Sequence, residues 1–132
     1  MSSHGGIIVY FIRNVAQLIE TIKDLQLTYQ QMENLKMQTT DGKIHNVEVI
    51  VKDENNRQIG FQKQNDGTYK IIADSTGLTA EQLKKQQMCI NKIKQHYAYN
   101  VVIQELKKQG YQLVEEKKVE KNTLKLIARR WI

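Results

Sequence analysis

Three polar turns constrain this chain more than any other feature. Asp41-Gly42, Asp53-Glu54-Asn55-Asn56 and Asn65-Asp66-Gly67 are made of residues that reverse a backbone tightly, and the stretches between them are strand-length. Val47, Val49 and Val51 alternate with Glu48, Ile50 and Lys52, which predicts a strand over 44–52. Ile59 and Phe61 alternate with polar neighbours, and Thr68–Asp74 returns as a third apolar run. Strands joined by turns this short must be antiparallel, because a parallel pair needs a crossover of about a dozen residues or more. Tyr29, Gln31, Glu33, Leu35 and Met37 keep no single period, so 29–39 predicts an irregular strand ahead of this meander.

Helical signals flank the strands. Ile7–Ile12 is β-branched and aromatic throughout, which predicts a first strand buried on both faces. Asn14 then opens a helix, with Gln17 placed for a capping box. Val15, Leu18, Ile19, Ile22 and Leu25 form one apolar stripe, and Gln17, Glu20, Thr21, Lys23 and Asp24 fill the polar side. Ser75-Thr76-Gly77 breaks the sheet, and Thr79 with Gln82 makes a second capping box for a long helix over roughly 80–109. Ile90, Ile93, Tyr97 and Val101 lie on one side of it. Tyr99, Val102, Ile103 and Leu106 lie nearly opposite. A helix apolar on two sides is either sandwiched against a partner or kinked, here near His96. Lys107-Lys108 and Gly110 suit its C-terminal end. Tyr111–Val119 and Thr123–Trp131 close the chain as a hairpin. The expected order is strand, helix, four strands, long helix, two strands. That is an α+β domain over 1–132, with both helices on one face of a mostly antiparallel sheet.

Composition removes several function classes. A length of 132 residues suits one domain. No apolar run approaches the ~18–20 residues of a membrane span, and the N-terminus carries no basic signal-type segment. Cys89 is the sole cysteine, so no internal disulfide forms, and a reducing cytoplasmic compartment is expected. No cofactor or metal is predicted. Gly5-Gly6 precedes a strand rather than following one, which is the wrong place for a phosphate loop. His4, His45 and His96 fall on three different elements. Cys89 and His96 are two helical turns apart, ~10.5 Å of rise, too far for a proton-transfer pair.

Charge is unevenly placed. Residues 1–80 hold 8 Lys/Arg against 9 Asp/Glu, whereas residues 81–132 hold 12 against 5, so −1 and +7 make the net +6. A solvated lysine-rich face explains this, and so does a polyanion partner such as nucleic acid. The run His96-Tyr97-Ala98-Tyr99-Asn100 puts its two tyrosines on different helix faces, each able to bury a ring and bond its hydroxyl. Arg129-Arg130-Trp131 combines residue types enriched in interface hot spots, though a terminal Trp can equally close a core. The binding candidates are therefore His96, Tyr97, Tyr99, Val102, Leu106, Arg129, Arg130 and Trp131, with no catalytic set. Three function classes follow. The first is a non-catalytic domain contacting a protein partner, or a second copy, through the long helix. The second is a nucleic-acid binder using the basic C-terminal half. The third is an enzyme gathering His96, a tyrosine and the arginines around an anion.

Several of these pieces resemble one family in order. They are His4, Ile59-Gly60-Phe61, Asp66-Gly67 with Tyr69, Ala73-Asp74, the Tyr97-Ala98-Tyr99 run, Gly110-Tyr111, Leu124-Lys125-Leu126 and Arg129-Arg130-Trp131. The sequence resembles the hypothetical chloroplast reading frame 35 family, domain of unknown function 1257, over nearly its whole length. It departs from the usual Met-Ser-His-Phe opening through Ser3 and Gly5, and has His96 where arginine is common. The resemblance implies a fold more than an activity. Family genes often lie beside an AAA-type ATPase and a small ferredoxin-like protein, which implies a partner-binding role, and in algal relatives a plastid stroma setting.

Overall fold

The computed structural model describes residues 11–120 and 123–130, with side chains over 11–110. The chain runs α1 (Val15–Asp24), β1 (Tyr29–Gln38), β2 (Ile44–Lys52), β3 (Gln58–Lys63), β4 (Tyr69–Ala73), α2 (Ala80–Lys108), β5 (Tyr111–Glu120) and β6 (Thr123–Arg130). β1 to β4 form an antiparallel sheet in chain order, and β5–β6 form their own two-stranded ladder. The α+β class and the order from the first helix onward are as the sequence predicts. The strand expected over 7–12 falls mostly outside the described residues. The Ile12 carbonyl, at its end, accepts from the Tyr69 N–H at 2.7 Å.

The three predicted turns close alike. The N–H of Thr39, Asp53 and Gln64 bonds the carbonyl four residues on, in Lys43, Arg57 and Thr68. The fourth residue of each turn takes positive φ: Gly42, Asn56 and Gly67. An aspartate in each turn, Asp41, Asp53 or Asp66, accepts a backbone N–H at 2.8–3.1 Å. β1 is irregular for a definite reason. Its register against β2 shifts between Gln31 and Leu35, where Asn34 takes φ 58°.

Both helices lie on one face of the sheet. Leu18, Ile19 and Ile22 of α1 share a core with Val49, Val51, Ile59, Phe61 and Tyr69 of the sheet and with Ile90, Ile93 and Tyr97 of α2. Each fully buried side chain of this size contributes ~1.5–3 kcal/mol against leaving it in water. Thr21 departs from expectation. It is fully buried rather than on the polar side of α1. The neighbouring α2 covers that flank, so the buried arc is wider than the sheet-facing stripe. The Thr21 hydroxyl donates to the Gln17 carbonyl at 2.8 Å and accepts from Asn100 at 3.1 Å.

The opposite face has a smaller core of Met37, Val47 and Ile50. Val47 and Ile50 are three apart, a spacing that a regular strand would send to opposite faces. The β2–β3 ladder begins only at Val49, so the outer half of the β1–β2 hairpin is free to bend over the back of β3. Gly60 makes this approach fit. A Cβ there would stand 2.8 Å from Met37 Sδ and 2.9 Å from Val47 Cγ1.

Candidate functional site

α2 is the element on which most of the candidate residues sit. It is one unbroken helix through His96, so the expected alternative of a kink there is not what forms. Thr79 and Gln82 cap its start reciprocally, as predicted. α1 runs against it in the opposite sense. Leu25 and Leu27, at and beyond the end of α1, face the first half of α2, and Asn14 and Gln17 face Val101 and Gln104.

A buried polar knot fixes the first half of α2. Gln86 is only 2% exposed. Its amide donates to Asp53 Oδ2 and to the Asp74 carbonyl, both at 3.0 Å, and its carbonyl oxygen accepts from the Ser75 hydroxyl. Asp53 Oδ1 accepts the N–H groups of Asn55 and Arg57. The Asp74 carboxylate accepts from the Thr40 N–H at 3.1 Å, its hydroxyl at 2.8 Å and Arg57 at 3.4 Å. Arg57 also donates to the Thr76 carbonyl at 2.6 Å. Every polar atom of the Gln86 amide is used, which is what a buried amide requires. The sequence held a signal for it. Gln86, Ile90, Ile93 and Tyr97 are one stripe, so a glutamine stands on the core line of the helix.

A second set of contacts ties the middle of α2 to α1. Tyr97 is buried in the core, and its hydroxyl accepts the N–H groups of Arg13 and Asn14 at 3.1 and 3.2 Å. His96 Nε2 lies 2.9 Å from Asp24 Oδ2, and Asn100 donates to the same oxygen at 3.2 Å. These bonds from His96 and Asn100 hold the Asp24 carboxyl below its usual range. Tyr99 stacks on His96 with ring centroids 5.3 Å apart.

The candidate binding residues are thus dispersed. Tyr97 faces the core, and His96 with Tyr99 lies beside the end of α1. Val102 and Leu106, with Ile103, stay partly exposed toward the end of α2. Arg129 and Arg130 pair in register with Gln112 and Tyr111 at the base of the β5–β6 ladder, next to that end of α2. Trp131 lies outside the described residues. Among the described residues no group of three or more His, Cys, Asp or Glu side chains is arranged to hold a metal ion. No helix among them is long and apolar enough to cross a membrane.

Openings among the described residues border α2 at both ends of α1. A cleft of about 370 Å³ lies at the first turn of α1, lined by Arg13, Asn14, Tyr97, Gln104 and Lys108 among others. A groove of about 410 Å³ lies at the other end of α1, lined by Leu25, Leu27, Glu54, Lys85, Met88, Cys89 and Lys92. Burial, reinforced by the charge of Asp53, pushes the Cys89 thiol up. On β4, Tyr69 is pushed up to about 12 by burial and by its 2.8 Å hydrogen bond to Glu48.

Comparison with known proteins bears out the resemblance. The family described as "Protein of unknown function (DUF1257)" matches residues 21–127. The chain is similar to "Uncharacterized protein ycf35" of Pyropia yezoensis, 31% identical over 129 residues, covering 98% of each chain. It is also similar to the proteins of that name in Cyanophora paradoxa, 29% identical over 91% of each chain, and Guillardia theta, 26% identical over 98% of each. No solved structure matches. With both its central span and nearly its full length accounted for in this way, the chain belongs to the DUF1257 family.

Proposed function

We propose that the protein is a non-catalytic interaction domain, an adaptor or accessory module, that meets a protein partner or a second copy through the second half of α2. One observation supports this most. Tyr99, Val102, Ile103 and Leu106, the apolar stripe facing away from the core line, all remain partly exposed, while Ile90, Ile93 and Tyr97 on the core line are buried. An apolar stripe left partly wet on a helix is the kind of surface a partner covers. The dispersal of the candidate residues supports the same reading over catalysis. By family resemblance, an AAA-type ATPase or a ferredoxin-like protein is the kind of partner to test first, in a reducing aqueous compartment such as the cytoplasm or the stroma. The test is a Val102→Asp/Leu106→Asp variant compared with wild type by sedimentation and by co-purification with those candidates. Retained fold with lost association supports the proposal. Unchanged association overturns it.

A second reading has its own observation. α2 carries six lysines against two glutamates, and none of the six is in an ion pair among the described residues. Nucleic-acid binding through them would give an affinity that falls linearly with salt on logarithmic axes. Absence of binding at low salt removes this reading.

A further inference from the structure

We infer that the groove between the end of α1 and the first half of α2 is a docking site for an acidic amphipathic helix of a partner protein. The inference rests on the reading of the protein as an interaction domain, but it uses the first half of α2 rather than the second.

The groove has an apolar floor and a basic rim. Leu25, Leu27 and Cys89 are half-buried against the main core, and Met88 is 37% exposed above them. Its volume, about 410 Å³, falls in the ~300–1,000 Å³ range of ligand-binding clefts. On α2, Lys85, Met88, Cys89 and Lys92 are at i, i+3, i+4 and i+7, so they share one face of the helix. Two apolar side chains are thereby bracketed by two cations about two turns, ~10.5 Å, apart. Ion pairs among the described residues join Arg57 to Asp74 and His96 to Asp24, so both lysines keep their charge for a ligand. Among the described residues, Glu54 is the one carboxylate lining the groove.

Charge complementarity identifies the occupant. A helix with carboxylates at i and i+7 and leucine-type side chains at i+3 and i+4 mirrors this face residue for residue. Its apolar pair enters the floor while its two acids meet Lys85 and Lys92. Nucleic acid fits less well, because among the described residues the groove lining holds no aromatic ring on which a base could stack. An anionic membrane also fits less well, because the apolar surface is concave and bilayer insertion calls for a protruding one.

The probe is a fluorescein-labelled synthetic peptide with Glu at i and i+7 and Leu at i+3 and i+4, read by anisotropy on the full chain. Saturable binding is expected. It should weaken about tenfold in Lys85→Glu/Lys92→Glu, and also when the peptide's glutamates become lysines. Saturating peptide should slow alkylation of Cys89. If the charge-reversed variant is misfolded by circular dichroism, Lys85→Ala/Lys92→Ala gives the same reading with a smaller loss. Equal binding by the variants, or no saturable binding, overturns the inference. So does protection of Cys89 without peptide in step with dimer formation, which would make a second copy the occupant. Capture of anionic vesicles that the peptide does not displace overturns it too. Val102→Asp/Leu106→Asp should leave peptide binding intact, so failure at this groove and failure of the second-half interface are separately visible.

Discussion

Gln86 and His96 both tether α2, and they do so in opposite media. Gln86 is 2% exposed and bonds one carboxylate, one backbone carbonyl and one hydroxyl. His96 and its partner Asp24 have side chains 26% and 41% exposed. The hydrogen-bond lengths are nearly equal, 3.0 Å and 2.9 Å. Their energetic consequences are not. Water can replace the His96–Asp24 contact if it breaks, whereas nothing replaces Gln86 beneath the sheet. Geometry alone therefore ranks these tethers wrongly, and burial ranks them correctly.

The comparison can be broken by substitution, and the largest effect belongs to the buried tether. Gln86→Leu leaves Asp53 Oδ2 and the Asp74 carbonyl without their donor and should cost ~3 kcal/mol in urea unfolding. A loss within about 0.5 kcal/mol would show that water reaches the knot. Gly60→Ala gives a buried reference without polar chemistry. The new methyl must displace Met37 and Val47, and ~2 kcal/mol of destabilisation by the same measurement is expected. Tyr97→Phe keeps the ring and removes the acceptor of the Arg13 and Asn14 N–H groups, for ~1 kcal/mol and faster amide exchange at Asn14. Asp24→Asn should be smallest at neutral pH, within ~0.5 kcal/mol, because the pair is solvent-screened.

Asp24 also gives the comparison a pH axis. Its folded-state carboxyl titrates below its usual range because His96 and Asn100 bond the charged form. Its contribution is therefore complete above the ordinary carboxylate range, about pH 4, and is lost as pH falls through the folded value. Asp24→Asn should lower the neutral plateau of a stability–pH profile by no more than ~0.5 kcal/mol and meet the wild-type curve at low pH, which flattens the acid limb. An unaltered acid limb would mean that the His96–Asp24 contact carries no stability.

Much of the architecture was legible in the sequence because its signals are local. Asp41-Gly42, Asp53–Asn56 and Asn65-Asp66-Gly67 announce their turns through side chains that bond within the turn itself. Asn14 and Thr79 announce helix starts for the same reason. What escaped was non-local. Thr21 looks polar by position, and only the arrival of Asn100, 79 residues later, gives it a buried partner. Asp74 reads as a strand-ending residue, yet it also gathers Thr40 and Arg57 from two other turns. The two-sided stripe on α2 was readable from its spacing. The grip of His96 and Asn100 on Asp24 was not, since no local rule specifies which face of α1 meets α2.

The hairpin that doubles back over Gly60 has an architectural consequence. A sheet carrying helices on one side ordinarily leaves its reverse wet, or recruits a further layer to cover it. Here the ribbon's own hem covers part of the reverse, with Met37 and Val47 as the fastening and a bare backbone as the eyelet. So small a domain keeps all its helical surface for one side, and even a single methyl at that eyelet would act as a doorstop.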